Sequence, residues 1–121
     1  MIIKESAENY LEAILVIKNN KGAVRSIDVA NELGFTKPSV SVAMKNFREA
    51  GYITVEKDGT ISLTEKGLEI ARGVLDRHQL IAKVLMRLGV DEKTAYEDSC
   101  KIEHSLSEQS FAKIKEYFEK H

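Results

Sequence analysis

Apolar residues fall into helical spacing almost from the start of the chain. Tyr10, Leu11, Ile14, Leu15 and Ile17 follow Ser6 at such intervals, which predicts a first helix from Ser6 to about Lys18. Asn19-Asn20-Lys21-Gly22 then supplies a stop, through residues that tolerate turn geometry. Ser26 is the expected N-cap of a short second helix, Ile27 to Leu33, broken by Gly34. A third helix follows from Lys37 to Ala50, with Pro38 in its first turn and Val40, Met44 and Phe47 facing inward. Two β-prone stretches, 52–55 and 60–63, flank Glu56-Lys57-Asp58-Gly59, whose Asp-Gly pair is a hairpin signal. Thr64 caps a long fourth helix that ends near Gly89. Asp91 caps a fifth, to about Ser105, and Ser107 a sixth.

This order predicts a mainly α protein. Residues 1–63 make a winged helix-turn-helix with a short β-hairpin as its wing, and residues 64–121 an all-helical annex. A helix-turn-helix needs a short helix, a tight turn and a second helix whose exposed start enters the major groove. The formal net charge is −1, so any surface for nucleic acid must be local. It is local here: Thr36 to Arg48 contains Lys37, Lys45 and Arg48 and no acidic residue. Thr36, Lys37, Ser39, Ser41 and Lys45 form the expected exposed side. Short hydroxyls allow close approach to base edges, and lysines contact phosphate or guanine. Pro38 and Ser26 lie beside them, and Arg25 and Lys57 flank the surface with phosphate contacts. A solvated helix face carries the same charges; the helix order and the hairpin favour double-stranded DNA.

The second half holds a different chemistry. Within Cys100-Lys101-Ile102-Glu103-His104, the cysteine, glutamate and histidine stand at i, i+3 and i+4, on one face of a helix. Thiolate, carboxylate and imidazole together make a chelating surface for a transition ion. His78 on the fourth helix offers a fourth ligand, and Asn9 and Glu12, at i and i+3 on the first helix, complete a shell. Spacing alone leaves the plainer reading open, in which Cys100 is a small buried hydrophobe and the others are ordinary polar residues.

The single cysteine excludes an internal disulfide and fits a reducing compartment. Glu5, Glu8 and Glu12 interrupt the opening apolar positions, unlike a signal peptide, and no apolar run is long enough to span a bilayer. The expectation is a cytoplasmic protein with neither a membrane partner nor a small organic substrate. Cys100 and His104 lack the glycine-rich anion hole that a thiol–imidazole nucleophile would use, so an enzyme is not expected.

The sequence resembles the diphtheria-toxin-repressor family, including its manganese-transport-regulator branch, over essentially its whole length. The resemblance is carried by Glu8-Asn9-Tyr10-Leu11-Glu12-Ala13-Ile14, Lys37-Pro38-Ser39-Val40-Ser41, Arg77-His78-Gln79-Leu80 and Cys100-Lys101-Ile102-Glu103-His104-Ser105-Leu106-Ser107. It implies a homodimeric repressor of metal-homeostasis genes activated by Fe(II) or Mn(II), with metal positions at Asn9, Glu12, His78, Cys100, Glu103 and His104. Zn(II) or Co(II) would occupy the same donors in vitro. Asn9 departs from both branches, which carry methionine (iron) or aspartate (manganese) there. Cys100 matches the iron branch, whereas the manganese branch has glutamate. Ala82 and Tyr96 stand where the iron branch's ancillary site has glutamate and histidine. Ile102, Leu106, Phe111, Ile114, Tyr117 and Phe118 supply apolar surface for a dimer. An ion shared between the first helix and the fourth and fifth would tie the reading head to the annex. The competing reading is a winged-helix factor that senses oxidants through Cys100 without a metal switch.

Overall fold

A computed structural model describes residues 5–121. Its elements are α1 (Glu5–Lys21), α2 (Ser26–Leu33), α3 (Lys37–Glu49), β1 (Ile53–Val55), β2 (Ile61–Leu63), α4 (Glu65–Arg87), α5 (Glu92–Ile102) and α6 (Glu108–Lys120). The expected mainly α winged helix-turn-helix with a helical annex is what forms. The chain divides into two compact units, the division falling within α4 between Gly73 and Val74.

The first unit is built on hydrocarbon. Leu11 and Ile14 of α1, Val24, Val29 of α2, Val40 of α3, Ile53 of β1 and Ile61 of β2 are all fully buried. The turn between α2 and α3 depends on Gly34, whose φ of 70° lets its own N–H and that of Phe35 both return to the Ala30 carbonyl, at 2.9 and 3.1 Å. Thr36 then caps α3 by accepting the Ser39 N–H, with Pro38 in the first turn. The strands pair antiparallel in the register Ile53↔Leu63, Thr54↔Ser62 and Val55↔Ile61. Ile61 also donates to the Val24 carbonyl at 2.7 Å, tying the wing to the segment before α2. Thr64 locks the start of α4: its hydroxyl donates to Gly51 O at 2.7 Å and accepts from Gly67 N at 3.1 Å. A Cβ at Gly67 would collide with the Tyr52 carbonyl, which explains glycine there.

Three boundaries differ from the sequence expectation. Helix α1 continues through Asn19 and Asn20 to Lys21, because the left-handed turn is taken by Gly22 alone (φ 87°). Helix α2 is capped at Arg25, not Ser26: the Asp28 carboxylate folds back to accept the Arg25 N–H at 2.9 Å, so Ser26 is the first helical residue. Helix α5 stops at Ile102 and not near Ser105.

The second unit contains the rest of α4 with α5 and α6. Asp91 and Ser107 cap the latter two by accepting from Thr94 N and Ser110 N, both at 3.1 Å. Its buried residues include Val74, Ile81, Ala82 and Ala95, but also Ser99 and Glu103, and α6 buries no residue at all.

Candidate metal centre and nucleic-acid interface

Helix α4 carries His78, and α5 carries Cys100 and, at its C-cap, Glu103. One ligand atom from each of these three lies within 4.8 Å of the other two. Glu103 keeps helical backbone angles and donates its N–H to Ser99 O at 3.0 Å, so it retains its place one turn beyond Cys100. His78 Nε2 lies 3.1 Å from the Tyr96 carbonyl, a contact that orients the imidazole ring. Imidazole nitrogen, thiolate and carboxylate are a donor set suited to a divalent transition ion, and their spacing lets a single ion contact all three.

Among the described residues the cluster is these three. His104 lies just past the end of α5, its Nε2 3.4 Å from Glu103 Oε1 and its side chain only 4% exposed. Asn9 and Glu12 are one turn apart on α1, in the first unit; Asn9 is half-buried and Glu12 is 9% exposed. The two positions of the iron branch's ancillary site are occupied otherwise. Ala82 is fully buried, and the Tyr96 ring meets the His78 ring edge-on at 5.7 Å.

On the first unit, Thr36, Lys37, Pro38, Ser39, Ser41 and Lys45 are all exposed, while Val40, Met44 and Phe47 face inward. Ser26, Ile27, Lys37 and Ser41 line one depression of about 250 Å³, which brings the starts of α2 and α3 together. The hydroxyls are not equivalent: Thr36 caps α3 and donates to the Ser39 hydroxyl at 2.9 Å, whereas Ser41 carries no such task. Arg25 pairs with Asp58 at the wing tip at 3.8 Å, both side chains more than half exposed, and Lys57 is exposed beside them. Asp58 is held below the usual carboxylate range, first by the hydrogen bonds from Thr60 and only weakly by Arg25.

Sequence reasoning missed two features. Val42 is 60% exposed between Ser39 and Lys45, an apolar group suited to thymine methyls, and a helical wheel of α3 would have found it. Arg77 reaches backbone carbonyls beyond α5, a long-range contact with no local signal in the sequence.

A DNA-reading fold joined to helices that gather soft and hard donors defines a metal-responsive transcription regulator. Residues 3–61 match the iron dependent repressor N-terminal DNA binding domain, and residues 64–121 the iron dependent repressor metal binding and dimerisation domain. The chain belongs to the iron-dependent repressor family: it is a metal-dependent, DNA-binding transcriptional repressor with a dimerisation domain. It is 39% identical over 120 residues to an HTH-type transcriptional regulator of Methanocaldococcus jannaschii, covering 98% of this chain and 96% of that one. To the HTH-type transcriptional regulator MntR of Lysinibacillus sphaericus it is 35% identical, covering 90% and 78%. A manganese-dependent transcriptional repressor solved in complex with manganese shares the fold, with a TM-score of 0.83 at 22% identity over 91% of this chain and 51% of that one. Among the described residues no helix is long and apolar enough to cross a membrane.

Proposed function

We propose that the protein represses metal-homeostasis genes in response to Fe(II), with Mn(II) as the second candidate, and that His78, Cys100 and Glu103 are the centre of its metal site. The observation that carries this is the convergence of their nitrogen, sulfur and oxygen donors within 4.8 Å. A thiolate among oxygen and nitrogen ligands moves preference from Mn(II) toward Fe(II), Co(II) or Zn(II), and availability selects among these in the cell. Asn9, Glu12 and His104 complete the ligand set, on the strength of the family resemblance. When bound, the ion supplies positive charge that compensates buried carboxylates; Glu103, 2% exposed, is the clearest of these.

Residues 1–63 form the part that reads operator DNA and residues 64–121 the part that binds metal and dimerises. Lys37, Lys45, Arg25 and Lys57 contact phosphates, and Thr36, Pro38, Ser39, Ser41 and Ser26 lie against the groove. The exposed Ile102 and Tyr117, with half-buried Leu106, Phe111, Ile114 and Phe118, belong to the dimer face. The protein works as a regulator and not a catalyst, in the cytoplasm where its DNA is. Metal and operator are linked, so each tightens the other's binding by the same factor, typically about 1–3 kcal/mol.

The test is anaerobic purification with elemental analysis, followed by selection from random duplex DNA with Fe(II), Mn(II), Zn(II) or no metal. Fe(II)-dependent enrichment of one dyad-symmetric sequence is the expected result. Enrichment of the same sequence to the same extent without metal would rule out the switch. Enrichment with Mn(II) and not with Fe(II) would transfer the assignment to manganese.

A further inference from the structure

Arg77 precedes His78 on α4 and is no part of the donor set. Its Nη2 donates to the carbonyls of Glu103 and Leu106, each at 2.8 Å, and its guanidinium lies 5.2 Å from the Phe111 ring centroid. The carbonyl at a helix C-cap has no intrahelical donor, and one cationic nitrogen here serves that of Glu103 together with the carbonyl of Leu106, the residue before the cap of α6. Arg77 Nε is buried without a hydrogen-bond partner among the described residues.

The neighbouring contact gives the placement its meaning. His78 reaches the Tyr96 carbonyl at 3.1 Å, and Arg77 reaches that of Glu103. Tyr96 lies four residues before Cys100 and Glu103 three residues after it. Two consecutive residues of α4 thus fix the α5 backbone on both sides of the thiol.

We infer that Arg77 is a positioning residue for metal binding, holding the segment Glu103–Leu106 so that the Glu103 carboxylate faces His78 and Cys100 before an ion arrives. The inference rests on the metal reading of that cluster.

The probe is Co(II), whose bond to thiolate gives a near-ultraviolet charge-transfer band and whose visible bands report coordination number. Arg77→Ala and Arg77→Lys are compared with Arg87→Ala. Arg87 makes a similar contact further along α4, its guanidinium 4.0 Å over the Phe118 ring and Nη1 3.5 Å from Phe118 O. Arg77→Ala is expected to bind Co(II) about 10–100-fold more weakly with altered visible bands, the range seen when residues supporting metal ligands are removed. Arg77→Lys loses less, and Arg87→Ala keeps wild-type affinity even where its melting temperature falls as far. In metal-free Arg77→Ala, amides 103–107 exchange hydrogen faster than in wild type. Should Arg77→Ala not fold, Arg77→Lys carries the comparison. Wild-type cobalt affinity and spectrum in the folded Arg77 variant would overturn the inference alone. A wild-type protein without a thiolate–cobalt band would overturn the metal reading along with it.

Discussion

Of the eight largest fully enclosed side chains among the described residues, seven belong to the first unit and are pure hydrocarbon, while the eighth, Ser99, belongs to the second. The contrast extends to charge. Cations of the first unit lie outside, on α3, before α2 and at the wing tip, whereas the second unit encloses Glu103 and surrounds it with His104, His78 and Cys100. Burying hydrocarbon stabilises a fold directly; burying an ionisable group opposes folding unless a counter-charge accompanies it. Glu12, the charged side chain that the first unit buries among the described residues, is also a proposed ligand. The interior of the reading unit is therefore mostly hydrocarbon among the described residues. The helical unit, with α6 burying nothing, is arranged for an ion and a second copy of the chain.

The strongest way to break this comparison is at the two interiors. Leu11→Ala is expected to cost about 2–5 kcal/mol in urea unfolding, and by the same amount with and without metal. Glu103→Gln acts the other way round. At a hundredfold excess of metal over Kd, the wild-type protein gains about 2.7 kcal/mol from binding. The variant loses most of that gain, together with metal-dependent DNA binding, while the metal-free melting temperature does not fall, because a neutral amide removes the cost of burying a carboxylate. Equal metal-induced stabilisation in wild type and Glu103→Gln would show that the buried carboxylate is no ligand.

The first unit was legible because its signals are local. Gly34 for the left-handed turn, Thr36 and Pro38 for the start of α3, and Asp58-Gly59 for the wing each act within a few residues of where they stand. Misplaced boundaries arose where one residue does what a group was expected to do: Gly22 ends α1 without Asn19 or Asn20, and Asp28 caps from inside α2 in place of Ser26. The donor cluster was legible in part. Cys100 and Glu103 are related by helical spacing, but His78 joins them only through tertiary contact. The end of α5 was not legible, because the guanidinium that takes the terminal carbonyl of Glu103 comes from a residue 26 positions earlier.

Smaller effects sharpen the contrast at the surface. Lys45→Gln leaves metal affinity and stability alone but weakens DNA binding by about 1 kcal/mol on all sequences alike. The slope of log affinity against log salt falls by about one unit. Anisotropy titrations at four salt concentrations would measure this. An unchanged slope would remove Lys45 from the phosphate contacts.

The smallest effect is electrostatic and lies at the cap of α2. The Asp28 carboxyl is held below the usual range, chiefly by the hydrogen bond from the Lys21 ammonium at 2.8 Å and next by the Arg25 N–H. A carboxyl with a lowered pKa in the folded state stabilises that state above its unfolded value of about 3.9, and the contribution disappears as pH falls through the lowered one. Lys21 is 62% exposed, so solvent screens the ion pair and the cap to the backbone carries most of the effect. Asp28→Asn is therefore expected to cost about 0.5–1 kcal/mol at pH 7. That difference shrinks progressively as the wild-type carboxyl is protonated below pH ~4. High salt should remove the Lys21 share and leave the share due to the Arg25 N–H. Unfolding curves for the two proteins that remain equally separated from neutral to acid pH would show that the carboxylate's charge does not contribute.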